Sequence, residues 1–134
     1  FLRRSGADTG EVKRLFQNDL SGTIAKYDII QNAKLYRDHI AIAVVDHTVG
    51  RIVAAQAADE LLNIIGIDTS FVLYPDGERV IISARSMGDT NVQVILEKLG
   101  GGGNAAAAGG QISGKSLSQV ATELSHAIDQ YLEG

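Results

Sequence analysis

The chain has 134 residues, which is enough for one domain with a hydrophobic core. It contains no cysteine, so a disulfide framework and a thiolate metal site are both excluded. The formal net charge of -4 argues against broad electrostatic binding of nucleic acid, although a local basic pocket remains compatible with it. The longest apolar run, residues 40–45, is too short to span a bilayer, and no signal peptide is visible.

The first predicted element is a helix over residues 8–21. Asp8 followed by Glu11 resembles a capping box, and the apolar residues after them repeat at helical spacing. Gly22 is expected to end or bend this helix. Because the chain begins with Phe1 rather than Met, we expect it to be a piece of a longer protein.

Two strands and a second helix are predicted next. The strands cover residues 27–37 and 40–46, with residues 38–39 as the turn between them. Residues 51–65 are rich in alanine and leucine and predict a helix, and Gly66 is expected to stop it in the left-handed conformation.

A hairpin and a third helix follow. Strands over residues 70–74 and 79–84 are joined by the sequence Pro-Asp-Gly at 75–77, in which proline presets φ and glycine permits positive φ. Asp89 or Thr90 is expected to cap the next helix.

The C-terminal part predicts one more strand and one more helix. Gly100 is expected to end the third helix, and residues 107–112 form a short strand. Ser116 and Gln119 form a capping box before an amphipathic helix. The alternation of elements predicts an α/β domain with a mixed sheet of about five strands flanked by helices.

The glycine-rich segment is the main candidate for a binding site. Residues 100–103 are glycine, Asn104 and four alanines follow, and residues 109–110 are again glycine. Such a run is either a flexible linker or a tight loop whose N–H groups meet an anion or a nucleotide edge. It lacks the lysine of a Walker A loop, and it follows a helix rather than the strand that a Rossmann fingerprint requires.

A second candidate lies where the strand over residues 79–84 ends. An arginine at a strand end is commonly a surface charge, yet strand ends are also where α/β folds collect ligands. Four residues are expected to point into one pocket: Ser83, Arg85, Ser86 and Asn91. Arg85 would bind phosphate in a bidentate way. Gln56 is interpreted as structural, with the alternative that it reaches the same pocket.

Metal binding and nucleophilic catalysis find no support in the residue pattern. The three histidines, His39, His47 and His126, are scattered, and no pair has the spacing of a metal site. No convincing pair of a nucleophile and a base is present either. The sequence therefore predicts a domain that binds a phosphate ester and does not cleave one alone.

These motifs together resemble a known family. Residues 82–86 (Ile-Ser-Ala-Arg-Ser), 91–93 (Asn-Val-Gln) and 99–103 (Leu and four glycines) resemble the DHH-associated substrate domain of DHH phosphoesterases. The opening residues 1–8 and the segment 55–59 (Ala-Gln-Ala-Ala-Asp) resemble the C-terminal part of the bacterial membrane-anchored cyclic di-AMP phosphodiesterases. The likeness covers nearly the whole chain.

The resemblance implies a division of labour within a phosphodiesterase that hydrolyses cyclic di-AMP to pApA. An upstream DHH domain, absent here, would hold two manganese ions, so no cofactor is expected in this chain. Residues 1–24 would be a linker helix and residues 25–134 the substrate-binding domain. The residues implied to bind the nucleotide or its phosphate are Ser83, Arg85, Gly101, Gly102, Gly103 and Asn104, with Asn91 and Gln56 as weaker candidates.

One position departs from the family pattern. The glycine run is normally followed by histidine, and Asn104 stands in that place. Asparagine donates hydrogen bonds but cannot become cationic, so ligand affinity, or the full activity of the parent enzyme, is in question at this position.

Partners and location follow from the same resemblance. The expected partners are a cyclic or linear dinucleotide and the upstream DHH domain, with a homodimer left open. The chain would lie on the cytoplasmic side of a membrane-anchored parent and make no direct membrane contact. Two alternatives stay open: a nucleic-acid-binding module of an exonuclease, an oligoribonuclease or an alanyl-tRNA synthetase-like protein, and a structural or dimerisation domain with close-packed glycines.

Overall fold

The computed structural model describes the backbone of residues 9–133 and the side chains of residues 20–133. Within that part of the chain, four helices and six strands form a mixed α/β domain, as predicted. In chain order they are α1 Thr9–Gln31, β1 Ala33–Tyr36, β2 Ile40–Val44, α2 Arg51–Leu61, β3 Thr69–Asp76, β4 Arg79–Ser86, α3 Val92–Glu97, β5 Gly102–Gly103, β6 Ala107–Ser113 and α4 Leu117–Glu133.

The strands form a single sheet in the order β1-β2-β3-β4-β6-β5. The pair β2–β3 is parallel, because α2 connects these two strands as a crossover, and the other pairs are antiparallel. The sheet is therefore mixed, and β6 lies between β4 and the edge strand β5.

Two hydrophobic clusters cover the two faces of the sheet. On the face we call the α2 face, Val72 and Ile81 pack with Ala57 and with Ile29 of α1. On the opposite face, the α4 face, buried residues of β3, β4 and β6 pack with α3 and α4. Successive strand residues point to opposite faces, so Ile81, Ser83 and Arg85 share the α2 face.

The first helix is longer than the sequence indicates. The helix α1 continues through Gly22, where the sequence predicted an end or a bend. Residues 27–31, which were predicted as part of a strand, are also helical. The physical reason is tertiary packing: Ile29 is fully buried against α2, and Lys26 Nζ lies 3.2 Å from Glu60 Oε2. The predicted capping residue Asp8 lies outside the described residues.

Several element ends also differ from prediction. The helix α2 ends at Leu61, and tighter turns follow, with Ile64 N–H donating to the Leu61 carbonyl over 3.2 Å. Gly66 does have the expected positive φ, at 93°, but it lies beyond those turns. The cap of α3 is Asn91 rather than Asp89 or Thr90, since the Asn91 Oδ1 accepts from Val94 N–H.

Both hairpin turns lie close to their predicted positions. The β3–β4 loop consists of Gly77 and Glu78, because Pro75 and Asp76 still pair within the sheet. Gly77 has φ +65°, the freedom that a two-residue hairpin needs at its first loop position. Arg37, with φ 56°, begins the three-residue turn between β1 and β2.

The C-terminal elements confirm the local signals. Gly100 has φ +88° and ends α3 in a Schellman motif, in which Gly101 N–H donates to the Leu96 carbonyl over 2.8 Å. Ser116 and Gln119 bond each other's backbone N–H groups at 2.8 and 3.1 Å, so the predicted capping box is formed. The strand β5 was not predicted.

Candidate functional site

A cavity of about 350 Å³ lies on the α2 face, where α2 stops covering the sheet and β4 and β6 are left open. Its volume falls within the range of small-molecule sites. The residues that line it come from α2, β3, β4 and β6: Arg51, Ala55, Tyr74, Ile81, Ile82, Ser83, Arg85, Ala108, Gly109, Gly110 and Gln111.

Arg85 and Ser83 form one wall of the cavity. They are neighbours on the same face of β4, as the strand-end prediction required. Arg85 Nε lies 3.2 Å from Asp59 Oδ1, and its Nη1 donates to the Ala84 carbonyl over 2.8 Å. A guanidinium carries five N–H donors, so these two contacts leave donors for a ligand.

The glycines at the base of the cavity are not those of the four-residue run. Gly109 lies opposite Ser83 in the β4–β6 ladder, and Gly110 lies opposite Ile82. Because Gly109 has no side chain, the sheet surface beside Ser83 stays open. The glycine-rich segment therefore contributes to the cavity through its second half.

Gly101, Gly102 and Gly103 are not among the residues that line the cavity, but they lie directly beside it, since Gly102 and Gly103 pair with β6 at two lining positions. A Cβ atom on Gly101 would lie 2.5 Å from the Gly109 carbonyl oxygen, whereas one on Gly102 would meet nothing within 4 Å. Gly103 has φ +150°, and a Cβ there would clash with the Ala107 carbonyl oxygen. Two of these three glycines thus permit close backbone packing, and a ligand role for any of them stays a prediction.

Asn104 shapes the turn between β5 and β6. Its Oδ1 accepts from the N–H groups of Ala106 and Ala107, both at 2.9 Å, and its own N–H donates to the Ala107 carbonyl over 2.8 Å. These contacts occupy the side-chain acceptor and leave the Nδ2 group as the donor available to a ligand.

Asn91 and Gln56 lie outside the cavity. Asn91 caps α3, which packs on the α4 face, and its N–H donates to the Tyr131 hydroxyl over 2.9 Å. Gln56 is exposed on α2 and is not among the lining residues. A binding role for either residue stays a prediction.

Three lining residues have polar side chains that sequence reasoning missed. Arg51 lies in the first turn of α2, where a cation opposes the helix dipole, and that placement was an available signal. Tyr74 is 2% exposed, and burial raises the pKa of its hydroxyl, although the Arg51 guanidinium opposes this shift. Gln111 Oε1 accepts from Arg79 Nη1 over 2.8 Å.

The described residues do not fit a metal centre. Among them, no group of three or more His, Asp or Glu side chains is arranged to hold a metal ion. In the same part of the chain, no helix combines the length and apolar character that crossing a membrane requires. The cavity itself presents the guanidinium groups of Arg51 and Arg85 with the Ser83 and Tyr74 hydroxyls beside them, and such groups are able to donate hydrogen bonds to an anion.

The chain is similar in sequence to known proteins that are named cyclic-di-AMP phosphodiesterases. The cyclic-di-AMP phosphodiesterase GdpP of Bacillus subtilis is 42% identical over 139 residues, which cover 100% of this chain and 21% of that protein. The cyclic-di-AMP phosphodiesterase PdeA of Listeria monocytogenes is 39% identical over 137 residues, again 100% of this chain and 21% of the relative. The chain thus spans about a fifth of the length of these curated relatives.

The fold also occurs in solved structures. An exopolyphosphatase-related protein from Bacteroides fragilis superimposes with a TM-score of 0.72 at 23% identity, over 83% of this chain and 35% of that protein. At this identity the similarity concerns the fold. A profile of the DHHA1 domain matches residues 37–134, which include every residue lining the cavity. The chain therefore belongs to the DHHA1 domain family.

Proposed function

We propose that the chain is the substrate-binding part of a phosphodiesterase that hydrolyses cyclic di-AMP to pApA. The support is the identity of about two fifths with proteins named cyclic-di-AMP phosphodiesterases, along the whole of this chain. The chain alone binds the nucleotide and does not cleave it, since the cavity contains no pair of a nucleophile and a general base.

The observation that carries the proposal is the position of Arg85 in the cavity wall. Its side chain is 22% exposed, so it is partly shielded from water, and it retains free N–H donors beside the Ser83 hydroxyl. A guanidinium in such a place binds a phosphate group by charge-assisted hydrogen bonds. A cavity of about 350 Å³ holds only part of a dinucleotide, so the rest of the ligand would extend toward the upstream domain.

The proposal assigns the hydrolytic chemistry to a DHH domain upstream in the same protein. Manganese ions bound there would activate water, and the described residues of this chain are not arranged to hold them. Residues 1–24 would connect the two domains, with residues 25–134 as the binding domain. We further place the chain on the cytoplasmic side of a membrane-anchored parent protein.

Titration calorimetry of the 134-residue chain tests the proposal. We expect saturable binding of pApA and cyclic di-AMP, weakened about tenfold or more in Arg85→Ala and only partly restored in Arg85→Lys, which cannot form a bidentate contact. Lys98→Ala serves as the control, because it removes one positive charge at the C-cap of α3, which packs on the opposite face of the sheet.

Two results would contradict the proposal in different ways. Unchanged binding in Arg85→Ala would exclude the assigned role of that residue. Absence of binding to the folded wild-type chain would exclude an independent binding domain. In that case, a titration of Asn104→His shows whether binding is absent because asparagine stands in the family's histidine position.

A further inference from the structure

The cavity has a second cationic group at the end opposite Arg85. Arg51 and Asp59 are eight residues apart on α2, which corresponds to about 12 Å along the helix. Asp59 contacts Arg85 at one end, whereas Arg51 lies beside Tyr74 at the other. The cavity is therefore long enough to place two anionic groups of one ligand at different guanidinium groups.

Tyr74 is an independent sign of a ligand at the Arg51 end. It is 2% exposed and lines the cavity. The Arg51 guanidinium beside its hydroxyl carries only donors, so it cannot accept the hydroxyl proton. The hydrogen bonds formed among residues 20–133 include none in which the Tyr74 hydroxyl is the donor. Buried hydroxyls normally have a partner, and a ligand oxygen would supply the missing acceptor.

The two arginines differ in how their charge is balanced. Arg85 is paired with Asp59, whereas Arg51 forms no ion pair with any carboxylate in the described part of the chain. A phosphodiester carries one negative charge, but a phosphomonoester carries between about 1.5 and 2 near neutral pH. The unbalanced Arg51, with the Tyr74 donor beside it, matches the more highly charged group.

We propose that Arg51 and Tyr74 form a second subsite, which binds the terminal phosphomonoester of a linear dinucleotide. This inference rests on the proposed function, since it assumes that a dinucleotide occupies the cavity. It assigns the phosphodiester to Arg85 and Ser83. The chain would then hold the linear product pApA by two phosphate groups and cyclic di-AMP, which has no monoester, by one.

Three ligands and three variants test this subsite by titration calorimetry. The ligands are pApA, ApA without the terminal phosphate, and cyclic di-AMP. We expect Arg51→Ala to weaken pApA binding about tenfold, because a charge-assisted hydrogen bond is lost, and to change ApA and cyclic di-AMP less than about twofold. Tyr74→Phe is expected to weaken pApA about threefold. Arg85→Ala is expected to weaken the binding of all three ligands.

The outcomes separate this inference from the function on which it rests. If Arg51→Ala weakens pApA and ApA equally, or weakens neither, while Arg85→Ala weakens both, the second subsite is wrong and the proposed function stands. If the folded wild-type chain binds none of the three ligands, both fail. Lys98→Ala, with the same loss of charge on the other face, must leave the preference for pApA over ApA unchanged.

Discussion

Asp59 Oδ1 lies 3.2 Å from Arg85 Nε, so an ion pair joins α2 to β4 at the wall of the cavity. The Arg85 side chain is 22% exposed and that of Asp59 is 64% exposed. The contact fixes the plane of the guanidinium and also places a negative charge near the site that is proposed to bind an anion. Asp59 therefore has two opposing effects on a ligand, one through orientation and one through charge.

Two substitutions of Asp59 separate these effects. Asp59→Asn keeps an oxygen that accepts from Arg85 Nε but removes the charge, so we expect pApA to bind about threefold more tightly. Asp59→Ala also removes the oxygen, and its affinity should fall below that of the asparagine variant because the guanidinium loses its orientation. Calorimetric titration measures both, and weaker binding in Asp59→Asn would show that the charge is needed.

Asn104 is expected to stabilise the fold through the β5–β6 turn. Asn104→Ala removes the acceptor of two backbone N–H groups, so we expect the free energy of unfolding to fall by about 1 kcal/mol. Asn104→Asp keeps an acceptor at the same place and is the matched control. Urea denaturation measures the difference, and an unchanged midpoint in Asn104→Ala would exclude this role.

The elements predicted correctly are those with local signals. The Ser116–Gln119 capping box and the left-handed Gly100 each depend on residues within one turn, so the sequence alone identifies them. Residues 27–31 were misassigned because Ile29 and Ile30 favour strands, while burial of Ile29 against α2 favours the helix. The two-residue strand β5 exists only through its pairing with β6, and no local pattern indicates it.

Sequence reasoning identified residues of the candidate site only where they lie close together in the chain. Ser83 and Arg85 share one strand, so alternation places them on one face. Arg51 lines the same cavity only because the β2–α2–β3 crossover brings α2 over the sheet, and that topology was not available from the sequence. Asp59, four residues from Ala55 on α2, shares the helix face of that lining residue, whereas Gln56 is turned away by one position.

Gly101 and Gly102 provide a test of close backbone packing in the glycine run. A methyl group on Gly101 would lie 2.5 Å from the Gly109 carbonyl oxygen, so we expect Gly101→Ala to lower the free energy of unfolding by about 2 kcal/mol. Gly102→Ala has open space and should change it by less than about 0.5 kcal/mol. Chemical denaturation compares the pair, and equal stability would contradict the packing role of Gly101.

Asp129 is expected to make stability depend on acid pH. The Tyr36 hydroxyl donates to it over 2.7 Å and, with Arg37, holds the pKa of the Asp129 carboxyl below its ordinary value. The ionised Asp129 carboxyl therefore stabilises the fold fully above its pKa in the unfolded chain, about 3.9. This stabilisation is lost as the pH falls through the lower pKa of the folded chain. The midpoint of thermal unfolding should therefore fall as the pH is lowered from 5, and we call this fall the acid limb. It should be smaller in Asp129→Asn than in the wild-type chain, measured at roughly half-unit steps of pH.

Glu78→Gln is the control for that series, because Glu78 lies in the β3–β4 turn and forms no ion pair within residues 20–133. An acid limb of the same size in Asp129→Asn and in the wild-type chain would show that the Tyr36–Asp129 contact does not contribute.

Gly22 provides a direct test of the continuous first helix. It lies inside α1, and a Cβ atom there would meet nothing within 4 Å. Alanine costs less backbone entropy on folding than glycine, so we expect Gly22→Ala to raise the free energy of unfolding by about 0.5–1 kcal/mol. Gly66→Ala is the contrasting variant: with φ +93° it should lower the same quantity by about 1 kcal/mol. Circular dichroism during thermal unfolding measures both shifts. A lower midpoint in Gly22→Ala would mean that the chain turns at Gly22, as the sequence pattern first indicated.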